Sequence, residues 1–277
     1  MIVIADSGST KTEWVIIDSE KKSFFKTAGL NPFFITSSLV TQELIQNFPK
    51  EIPPKKIKKV FFFGAGCSST GRCKIIKIGL KDFFPYANLH IDHDIMGAAI
   101  SLFGNSSGIA MILGTGSNSC IYDGVRITHN IPALGYILGD EGSGAFFGLQ
   151  LLKDYLNKEM PPDVYNKFTK TFQPSREEIL DRVYKQAFPN RYLASFAPFL
   201  SENLTSTYIW KLVEKGFDLF FKRHITPYPD YHTYQLGSVG SVGYFLQEPL
   251  KKIALKYGFE TINILRSPLE GLIKHIT

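Results

Sequence analysis

This sequence lacks most of the features that mark a secreted, metal-clustered or membrane-spanning protein. Its 277 residues include three cysteines, Cys67, Cys73 and Cys120, too few for a disulfide framework. The spacing of the first two is wider than that of a structural zinc site. No run approaches the roughly 20 apolar residues of a membrane helix, and the apolar opening at 2–5 is too short for a signal peptide. We therefore expect a cytoplasmic protein without membrane contact.

The excess of positive charge is not arranged as a nucleic-acid-binding surface. Lysine and arginine outnumber aspartate and glutamate by 31 to 25, which gives a net charge of +6. The densest basic run, 50–59, contains two adjacent prolines and precedes an apolar segment, so we interpret it as a solvated loop. Aromatic residues occur in apolar runs such as 61–63 and do not alternate with basic residues, as a base-stacking surface requires. No nucleic-acid partner is expected.

Short apolar runs alternate with amphipathic stretches, which is typical of an α/β protein. Strands are predicted at 2–5, 13–18, 24–27, 59–63, 89–92, 109–113, 119–122, 125–129, 232–236 and 260–264. Helices are predicted at 38–48 (with Leu39, Val40, Leu44 and Ile45 on one face), 74–84, 94–103, 241–257 and 268–276, and the region 139–222 is mostly helical. Each half opens with antiparallel strands joined by a glycine turn. This duplicated order predicts two related domains around a cleft.

Two loops rich in glycine and hydroxyl groups carry most of the functional information. Residues 6–12 (Asp-Ser-Gly-Ser-Thr-Lys-Thr) follow the first apolar strand, and residues 114–119 (Gly-Thr-Gly-Ser-Asn-Ser) follow another. Glycine lets the backbone approach a ligand closely, and the amides of such turns form a nest that favours anions. Two facing nests predict a site for a nucleotide polyphosphate, although neither loop is a Walker A motif.

Asp94 is the strongest candidate for acid–base chemistry. It follows the predicted strand at 89–92 and opens the apolar helix at 94–103, whose first turn would orient the carboxylate. The competing interpretation is that Asp94 serves only as the helix N-cap. His90 and His93 lie nearby, but alternation along a strand sends them to opposite faces, so no zinc site is predicted.

Four motifs resemble those of the sugar kinase, Hsp70 and actin superfamily of ATPases. They are Asp-x-Gly-x-Thr-Lys-Thr at 6–12, Gly-Thr-Gly-Ser-Asn at 114–118, Gly-Asp-Glu-Gly-Ser at 139–143 and Gly-Ser-Val-Gly at 237–240. Within this superfamily the sequence is most similar to the N-acetylglucosamine kinase branch, which is grouped with the BadF/BadG/BcrA/BcrD ATPases. The motifs span nearly the whole chain, and their order makes the resemblance specific.

The resemblance implies an α/β fold with two ribonuclease-H-like (actin-like ATPase) domains flanking a nucleotide and substrate cleft. The N-terminal domain would span 1–105 and be completed by the C-terminal helix 267–277. The C-terminal domain would span 106–266 and carry a helical insertion. Members of this family are usually homodimers, although no interface can be identified from the single sequence.

The resemblance also implies that ATP and Mg²⁺ are the cofactors. Asp6 would hold Mg²⁺ through water, as that ion prefers, and the alternative is a cap on the amides of its turn. For Lys11, pointing into solvent is an equal alternative to a phosphate contact. The residues implied to bind the nucleotide are Gly8, Ser9, Thr10 and Lys11 in the first loop, Gly114, Thr115 and Gly116 in the second, and Gly237 and Ser238 at the adenosine.

The implied reaction is phosphorylation of the 6-hydroxyl of an N-acetylated amino sugar, with N-acetylglucosamine as the leading substrate. Asp94 would accept the proton of that hydroxyl. Asn31 and Asn118 would bind the sugar, and Asp140 would bind it or hold water on Mg²⁺. Asn31 precedes a proline, so a turn role competes with sugar binding. Glu141 is expected either at the site or turned into the following helix.

Two departures from the family pattern bear on the substrate. Animal members of the kinase branch have a Gly-Trp pair before Gly-Asp-Glu-Gly-Ser, where this chain has Ala-Leu-Gly-Tyr at 133–136. N-acetylmuramate and glucosamine therefore remain alternative substrates. A partner-coupled ATPase is a further alternative, but the three cysteines offer no evident site for the iron–sulfur cluster of the dehydratase activators. A sugar-sensing regulator would normally bring a DNA-binding segment, which we do not expect here.

Overall fold

The computed structural model describes all 277 residues, from Met1 to Thr277. The strands are β1 (Ile2–Ser7), β2 (Lys11–Asp18), β3 (Lys21–Ala28), β4 (Lys59–Gly64), β5 (Asn88–His93), β6 (Gly108–Leu113), β7 (Ser117–Tyr122), β8 (Ile127–Ile131), β9 (Leu236–Val239) and β10 (Ile262–Leu265). The helices are α1 (Ser37–Asn47), α2 (Thr70–Phe83), α3 (Asp94–Phe103), α4 (Gly135–Leu138), α5 (Gly144–Leu156), α6 (Pro162–Phe172), α7 (Arg176–Tyr184), α8 (Pro189–Ala194), α9 (Pro198–Glu202), α10 (Thr207–His224), α11 (Ser241–Phe245), α12 (Gln247–Lys256) and α13 (Leu269–Ile276). None of these helices has the length and apolar character needed to cross a membrane.

The chain divides into two compact units, each built on one five-stranded sheet. Unit 1 comprises Met1–Ser106 and Ser267–Thr277, and unit 2 comprises Ser107–Arg266. The strand order is β3-β2-β1-β4-β5 in unit 1 and β8-β7-β6-β9-β10 in unit 2. In each sheet the first three strands of the unit are antiparallel, and the last two run parallel to its first strand. The two units therefore repeat one topology.

Both faces of the unit 1 sheet are buried by helices. Side chains alternate along β1, so Val3 and Ala5 pack with α1 and α2, whereas Ile4 packs on the other face with α3 and α13. Helix α13 lies so close to α3 that a Cβ on Gly271 would be 2.2 Å from the carbonyl oxygen of Ser101. Helix α13 thus covers part of one face of the first sheet, together with α3.

Unit 2 has a core rich in phenylalanine, built on its sheet and on α5 and α10. The largest fully buried side chains there are Phe147, Phe168, Phe199, Phe217, Phe220 and Phe221. Gly148 brings α5 against α8, because a Cβ at this position would lie 1.8 Å from the carbonyl oxygen of Leu193. The helices after β8 are therefore packed backbone to backbone at this point.

The strand predicted at 232–236 is wrong. Residues Tyr231–Thr233 form a 3₁₀ turn after Asp230, whose φ is 48°. The strand β9 begins only at Leu236, where its register with Ile109 of β6 begins. The alternating pattern before it belongs to a connecting turn at the surface.

The apolar face predicted for the first helix is narrower than expected. Val40 and Leu44 of α1 are buried, but Leu39 and Ile45 are 44% and 63% exposed. A helix turns by about 100° per residue, so neighbours in sequence do not share the contact with the sheet. Helix α2 also begins earlier than predicted, at Thr70, because the Ser69 hydroxyl accepts a hydrogen bond from the Arg72 amide and caps it.

Candidate active site

The first glycine loop is the tip of the β1–β2 hairpin in unit 1. The Gly8 amide donates to the Lys11 carbonyl oxygen (3.0 Å), and the Gly29 amide donates to the Thr10 carbonyl oxygen (3.1 Å). A Cβ at Gly29 would lie 2.5 Å from the Gly8 carbonyl oxygen and 2.6 Å from that of Ser9. The end of β3 therefore packs directly against the loop backbone and fixes the position of its amides.

Lys11 pairs with a carboxylate within its own hairpin. Its Nζ lies 2.7 Å from Glu13 Oε1, and Lys26 Nζ lies 3.6 Å from the same oxygen. The Lys11 side chain is 58% exposed. The two alternatives for Lys11 were exposure to solvent and a phosphate contact, and the structure shows an exposed side chain paired with Glu13. A phosphate contact would require this ion pair to separate.

Asp6 and Asp94 form a pair of interacting carboxylates in unit 1. Asp6 lies near the end of β1, and Asp94 is the first residue of α3, directly after β5. Burial raises the pKa of Asp6 to about 7, and the charges of Asp94 and Glu13 contribute to this shift. Burial likewise raises the pKa of Asp94 above its ordinary value. Such perturbed neighbouring carboxylates are typical of sites that bind a cation or transfer a proton.

Asp94 is not the N-cap residue of α3, but its carboxylate does accept a hydrogen bond from the first turn, as the competing capping interpretation expects. The N-cap of α3 is His93, and Asp94 is the first helical residue. Its Oδ1 accepts a hydrogen bond from the amide of Ile95 (2.9 Å), which fixes the carboxylate at the helix N-terminus.

The carboxylates of unit 1 fit a magnesium ion that is held mainly by water and phosphate. No group of three or more histidine, cysteine, aspartate or glutamate side chains in the chain forms a metal site. Mg²⁺ in nucleotide sites needs only one or two protein carboxylates besides water and phosphate oxygens. A bound cation would also oppose the effects of burial and of the charge of Asp94, which together raise the pKa of Asp6.

Asn31 is buried and takes part in a local turn. Its Oδ1 accepts a hydrogen bond from the Phe33 amide (3.0 Å). Gly66, with φ of 83°, packs against it, since a Cβ there would lie 2.3 Å from Asn31 Oδ1 and 3.0 Å from the Phe33 ring. The turn role of Asn31 is therefore present in the structure, and its amide nitrogen is left to donate to a ligand.

The sequence analysis did not identify Arg72, whose guanidinium lies on the ring of Phe33, two residues after Asn31. Arg72 Cζ lies 3.3 Å from the centroid of the Phe33 ring, and its Nη1 donates to the Ser68 hydroxyl (2.9 Å). Phe33 itself is 54% exposed. Arg72 and Phe33 are 39 positions apart in sequence, so no local pattern predicts their contact. The Gly-Ala-Gly turn at 64–66 was the only nearby feature that pointed to a close approach here.

The second glycine loop, in unit 2, is joined to the Gly-Asp-Glu-Gly-Ser segment. The Gly114 amide donates to the Gly116 carbonyl oxygen (3.0 Å) and closes the β6–β7 turn. At the start of α5, the Gly144 amide donates to the Gly114 carbonyl oxygen (2.8 Å), and the Ala145 amide donates to that of Thr115 (3.1 Å). The structure thus brings together two motifs that are separate in sequence.

Asp140 lies in the Gly-Asp-Glu-Gly-Ser segment in a left-handed backbone conformation, with φ of 55°. Its Oδ1 accepts a hydrogen bond from the Ser117 amide (3.4 Å), and a Cβ at Gly116 would lie 3.0 Å from its Oδ2. Burial raises the pKa of Asp140 to about 6, and the charge of Glu141 adds to the shift. Asp140 is therefore a buried carboxylate held against the loop.

Asn118 lies in β7, one strand position after Ser117. Its Oδ1 accepts hydrogen bonds from the Ser119 amide (2.9 Å) and from Asn130 Nδ2 (3.1 Å). These bonds engage the side-chain oxygen of Asn118. Its amide nitrogen remains the group that can contact a ligand.

Gly237 and Ser238 do not follow a strand, as the sequence pattern predicted, but lie within β9. Ser238 is fully buried, and a Cβ at Gly243 would lie 2.6 Å from its hydroxyl. The turn after the strand is at Gly240, with φ of 129°, where a Cβ would lie 2.3 Å from the Leu113 carbonyl oxygen. A close approach of backbone therefore requires glycine at 240.

Comparison with solved structures gives an alignment over the whole chain. The crystal structure of a "putative N-acetylglucosamine kinase" from Porphyromonas gingivalis is 38% identical, with a TM-score of 0.94 over 99% of this chain and 98% of that chain. One from Chromobacterium violaceum is 15% identical, with a TM-score of 0.72 over 100% and 98%. A ROK family glucokinase from Streptomyces griseus, solved with glucose and AMPPNP, is 17% identical, with a TM-score of 0.57 over 98% and 95%. No protein-family model and no curated protein matches the chain.

The fold is that of the sugar kinases with actin-like ATPase domains, which confirms the predicted α/β fold class. The chain belongs to the N-acetylglucosamine kinase family, as its identity to the Porphyromonas gingivalis protein over nearly the full length of both chains shows. The resemblance noted in the motifs is thereby confirmed.

Proposed function

We propose that this protein phosphorylates the 6-hydroxyl of an N-acetylated amino sugar with ATP and Mg²⁺, and that N-acetylglucosamine is its substrate. The observation that carries the proposal is the carboxylate pair in unit 1. Asp6 lies near the end of β1, the strand that leads into the first glycine loop, and the charge of Asp94 at the start of α3 acts on it. A base next to a phosphate-binding loop is the arrangement that phosphoryl transfer to a hydroxyl requires.

Asp94 takes the proton of the attacking hydroxyl in this proposal. The hydrogen bond from the Ile95 amide orients the carboxylate, and its raised pKa makes it a stronger base than an exposed aspartate. Asp6 is the residue that would hold Mg²⁺ through water. When bound, Mg²⁺ would neutralise charge on the transferred phosphoryl group.

The remaining proposed ligands divide into nucleotide and sugar contacts. The amides and hydroxyls of both glycine loops bind phosphates, because such turns present several N–H donors to one anion. Gly237 and Ser238 are the residues proposed at the adenosine, and the Ser238 side chain is buried in β9. Asn31, Asn118 and Asp140 each offer an unused amide or carboxylate group to the sugar hydroxyls.

The test is ADP release with Mg·ATP against a panel of sugars. The panel contains N-acetylglucosamine, N-acetylmuramate, N-acetylmannosamine, glucosamine, glucose and a reaction without sugar. Strong stimulation by N-acetylglucosamine, with a 6-phosphate product identified by NMR, is the expected result. Equal turnover in every reaction would overturn the kinase proposal and favour a partner-coupled ATPase.

Asn31→Asp separates the two roles of Asn31. Aspartate keeps the oxygen that accepts the Phe33 amide but removes the amide donor. If Asn31 binds the sugar, the KM for the sugar should rise by about 5- to 100-fold, which corresponds to losing one buried hydrogen bond. The KM for ATP should change little, and steady-state kinetics measures both constants.

Asn31→Ala is the companion variant, since it removes the turn acceptor as well. If the sugar KM is normal in Asn31→Asp but raised in Asn31→Ala, Asn31 acts only by holding its turn and does not bind the sugar.

A second candidate substrate is an amino sugar that carries a carboxylate, such as N-acetylmuramate. Arg72 favours it, because its guanidinium is held on the Phe33 ring beside Asn31. Its side chain has the Ser68 hydroxyl as its hydrogen-bond partner and no carboxylate at ion-pair distance. A guanidinium with free N–H groups matches a carboxylate in geometry and charge.

Arg72→Gln tests this second candidate. The KM for N-acetylmuramate should rise by about 10-fold or more, because a charged hydrogen bond is lost, while the KM for N-acetylglucosamine stays within about twofold. Arg126→Gln, at an arginine on the β7–β8 turn with an 80% exposed side chain, is the control for the loss of one surface charge. Equal changes for both sugars would exclude a carboxylate contact at Arg72.

A further inference from the structure

Glu141 is a buried carboxylate next to the proposed sugar residue Asp140. It is 3% exposed. His224 Nε2 lies 3.1 Å from its Oε2, and the Arg223 guanidinium forms an ion pair with its Oε1. Burial alone would raise the pKa of Glu141, but its backbone hydrogen bond and the contacts with His224 and Arg223 hold it below the ordinary value. Glu141 is therefore an ionised group with both oxygens engaged, not a side chain turned loosely into the following helix.

The partners of Glu141 are fixed to the sheet of unit 2. His224 ends α10, and its ring stacks on Phe220 with centroids 5.0 Å apart. Its carbonyl oxygen accepts a hydrogen bond from the Ser119 hydroxyl of β7 (2.9 Å). That hydroxyl also shares a hydrogen bond with the Tyr228 hydroxyl (2.8 Å). The end of α10 is thus a rigid support for the Glu141 carboxylate.

On its other side, Glu141 adjoins a residue whose backbone conformation needs support. The left-handed conformation of Asp140 is unfavourable for a residue other than glycine, and it persists only where neighbouring groups fix it. The Ser143 amide donates to the Asp140 carbonyl oxygen (3.1 Å), and the Ser117 amide donates to its Oδ1. These two hydrogen bonds lie within the loops themselves. The side chain of Glu141 connects the segment to α10, through its contacts with Arg223 and His224.

We propose that Glu141, held by Arg223 and His224, is a positioning residue that fixes the backbone of Asp140 and the segment bonded to the second glycine loop. The kinetic part of this inference rests on the proposed function, in which Asp140 binds the sugar. Its structural part does not, because it concerns the order of the loop itself. A buried ion pair that only stabilises the fold would leave both the loop and the sugar affinity unchanged in the folded protein.

The test compares Glu141→Ala with Tyr208→Phe. Tyr208 donates to Asp154 Oδ2 (2.5 Å) elsewhere in unit 2, so its variant also removes one side-chain hydrogen bond. In folded Glu141→Ala we expect the sugar KM to rise about 10- to 100-fold, the range for outer partners that orient a ligand. The KM for ATP should change less, and the amides of Gly144 and Ala145 should exchange hydrogen faster. Tyr208→Phe should show none of these changes.

The two readouts separate failure of the inference from failure of the proposed function. Normal exchange and a normal sugar KM in Glu141→Ala would overturn the positioning role. If no sugar stimulates the wild-type enzyme, the proposed function fails, and amide exchange still decides the role of Glu141. If Glu141→Ala does not fold, Arg223→Gln replaces it, because the Arg223 side chain is 55% exposed. It should raise the sugar KM by about 2- to 5-fold, and no change in exchange or KM would equally overturn the inference.

Discussion

Asp94→Asn is expected to lower kcat by about 10²- to 10⁴-fold, the contribution of a positioned general base. Asparagine keeps the size of the side chain and an oxygen that can accept the Ile95 amide, so α3 should begin as it does in the wild type. What is lost is the ability to accept a proton. The affinity for ATP should therefore be nearly unchanged, and sugar-dependent ADP release together with nucleotide titration measures the two effects.

Asp92→Asn is the matched control for Asp94→Asn. Asp92 lies two residues earlier, in β5, and its Oδ1 accepts the amide of the following residue, His93 (2.7 Å), much as Asp94 does. Its side chain is 42% exposed, and it is not among the proposed site residues. We expect kcat within about twofold of wild type for this variant. If Asp94→Asn retained more than a tenth of the wild-type kcat, Asp94 would not be the base, because even the lower limit for such a group is about 10²-fold.

Gly148→Ala is expected to lower the free energy of unfolding by at least about 2 kcal/mol, at the upper end of the cost of overpacking a core. The added Cβ would lie 1.8 Å from the carbonyl oxygen of Leu193 and 2.6 Å from its carbonyl carbon. Both are backbone atoms, so no side-chain rotation relieves the contact. Helices α5 and α8 must separate, and the phenylalanine core beneath them loses contacts.

Gly71→Ala is the control for Gly148→Ala. Gly71 lies in the first turn of α2, and a Cβ there would meet no atom within 4 Å. Alanine is favoured over glycine in a helix by up to about 1 kcal/mol, so this variant should be neutral or slightly more stable. Urea unfolding of both variants measures the difference. A Gly148→Ala protein within about 0.5 kcal/mol of wild type would show that α5 and α8 can move apart at little cost.

The sheets were predictable because each strand carries its own local signal. Both glycine loops follow runs of buried residues in β1 and β6, and the strand boundaries in unit 1 lie within two or three residues of those predicted. The duplicated order of strands followed from the two glycine turns. Helix α13 and the mostly helical character of 139–222 were also predicted, whereas the single helix predicted at 241–257 is divided at Leu246 into α11 and α12. Local pattern and tertiary packing agree in the correctly predicted elements.

The predictions that were wrong concern segments whose structure depends on contacts with distant parts of the chain. The pattern at 232–236 alternates like a strand, but the register with β6 and β10 begins only at Leu236, next to a hydrogen bond from the Ile109 amide to the Gln235 carbonyl oxygen. The helix face that included Leu39 and Ile45 was drawn too wide, since periodicity cannot tell which apolar residues a neighbouring sheet will cover.

Candidate site residues could be named from the sequence one by one, but the contacts that join their segments could not be predicted. Motif order indicated Asp6, Asp94 and Asp140, whose functional roles stay predictions. It could not indicate that the Gly144 amide bonds to Gly114, or that Glu141 pairs with the end of α10 about 80 residues away, because no local rule links such distant segments. The proposed homodimer and the cytoplasmic location stay predictions from the sequence.

The path of the chain through unit 1 has a consequence for its biosynthesis. One face of the first sheet, with Ile4 and Phe63, is covered partly by α13, which is made after the whole of unit 2. Domains that emerge first from the ribosome generally fold first. Here residues 1–106 emerge first but lack α13, whereas unit 2 has its whole sequence earlier. We therefore expect the second unit to fold first during synthesis and the Asp6–Asp94 pair to be assembled afterwards, once α13 has been made.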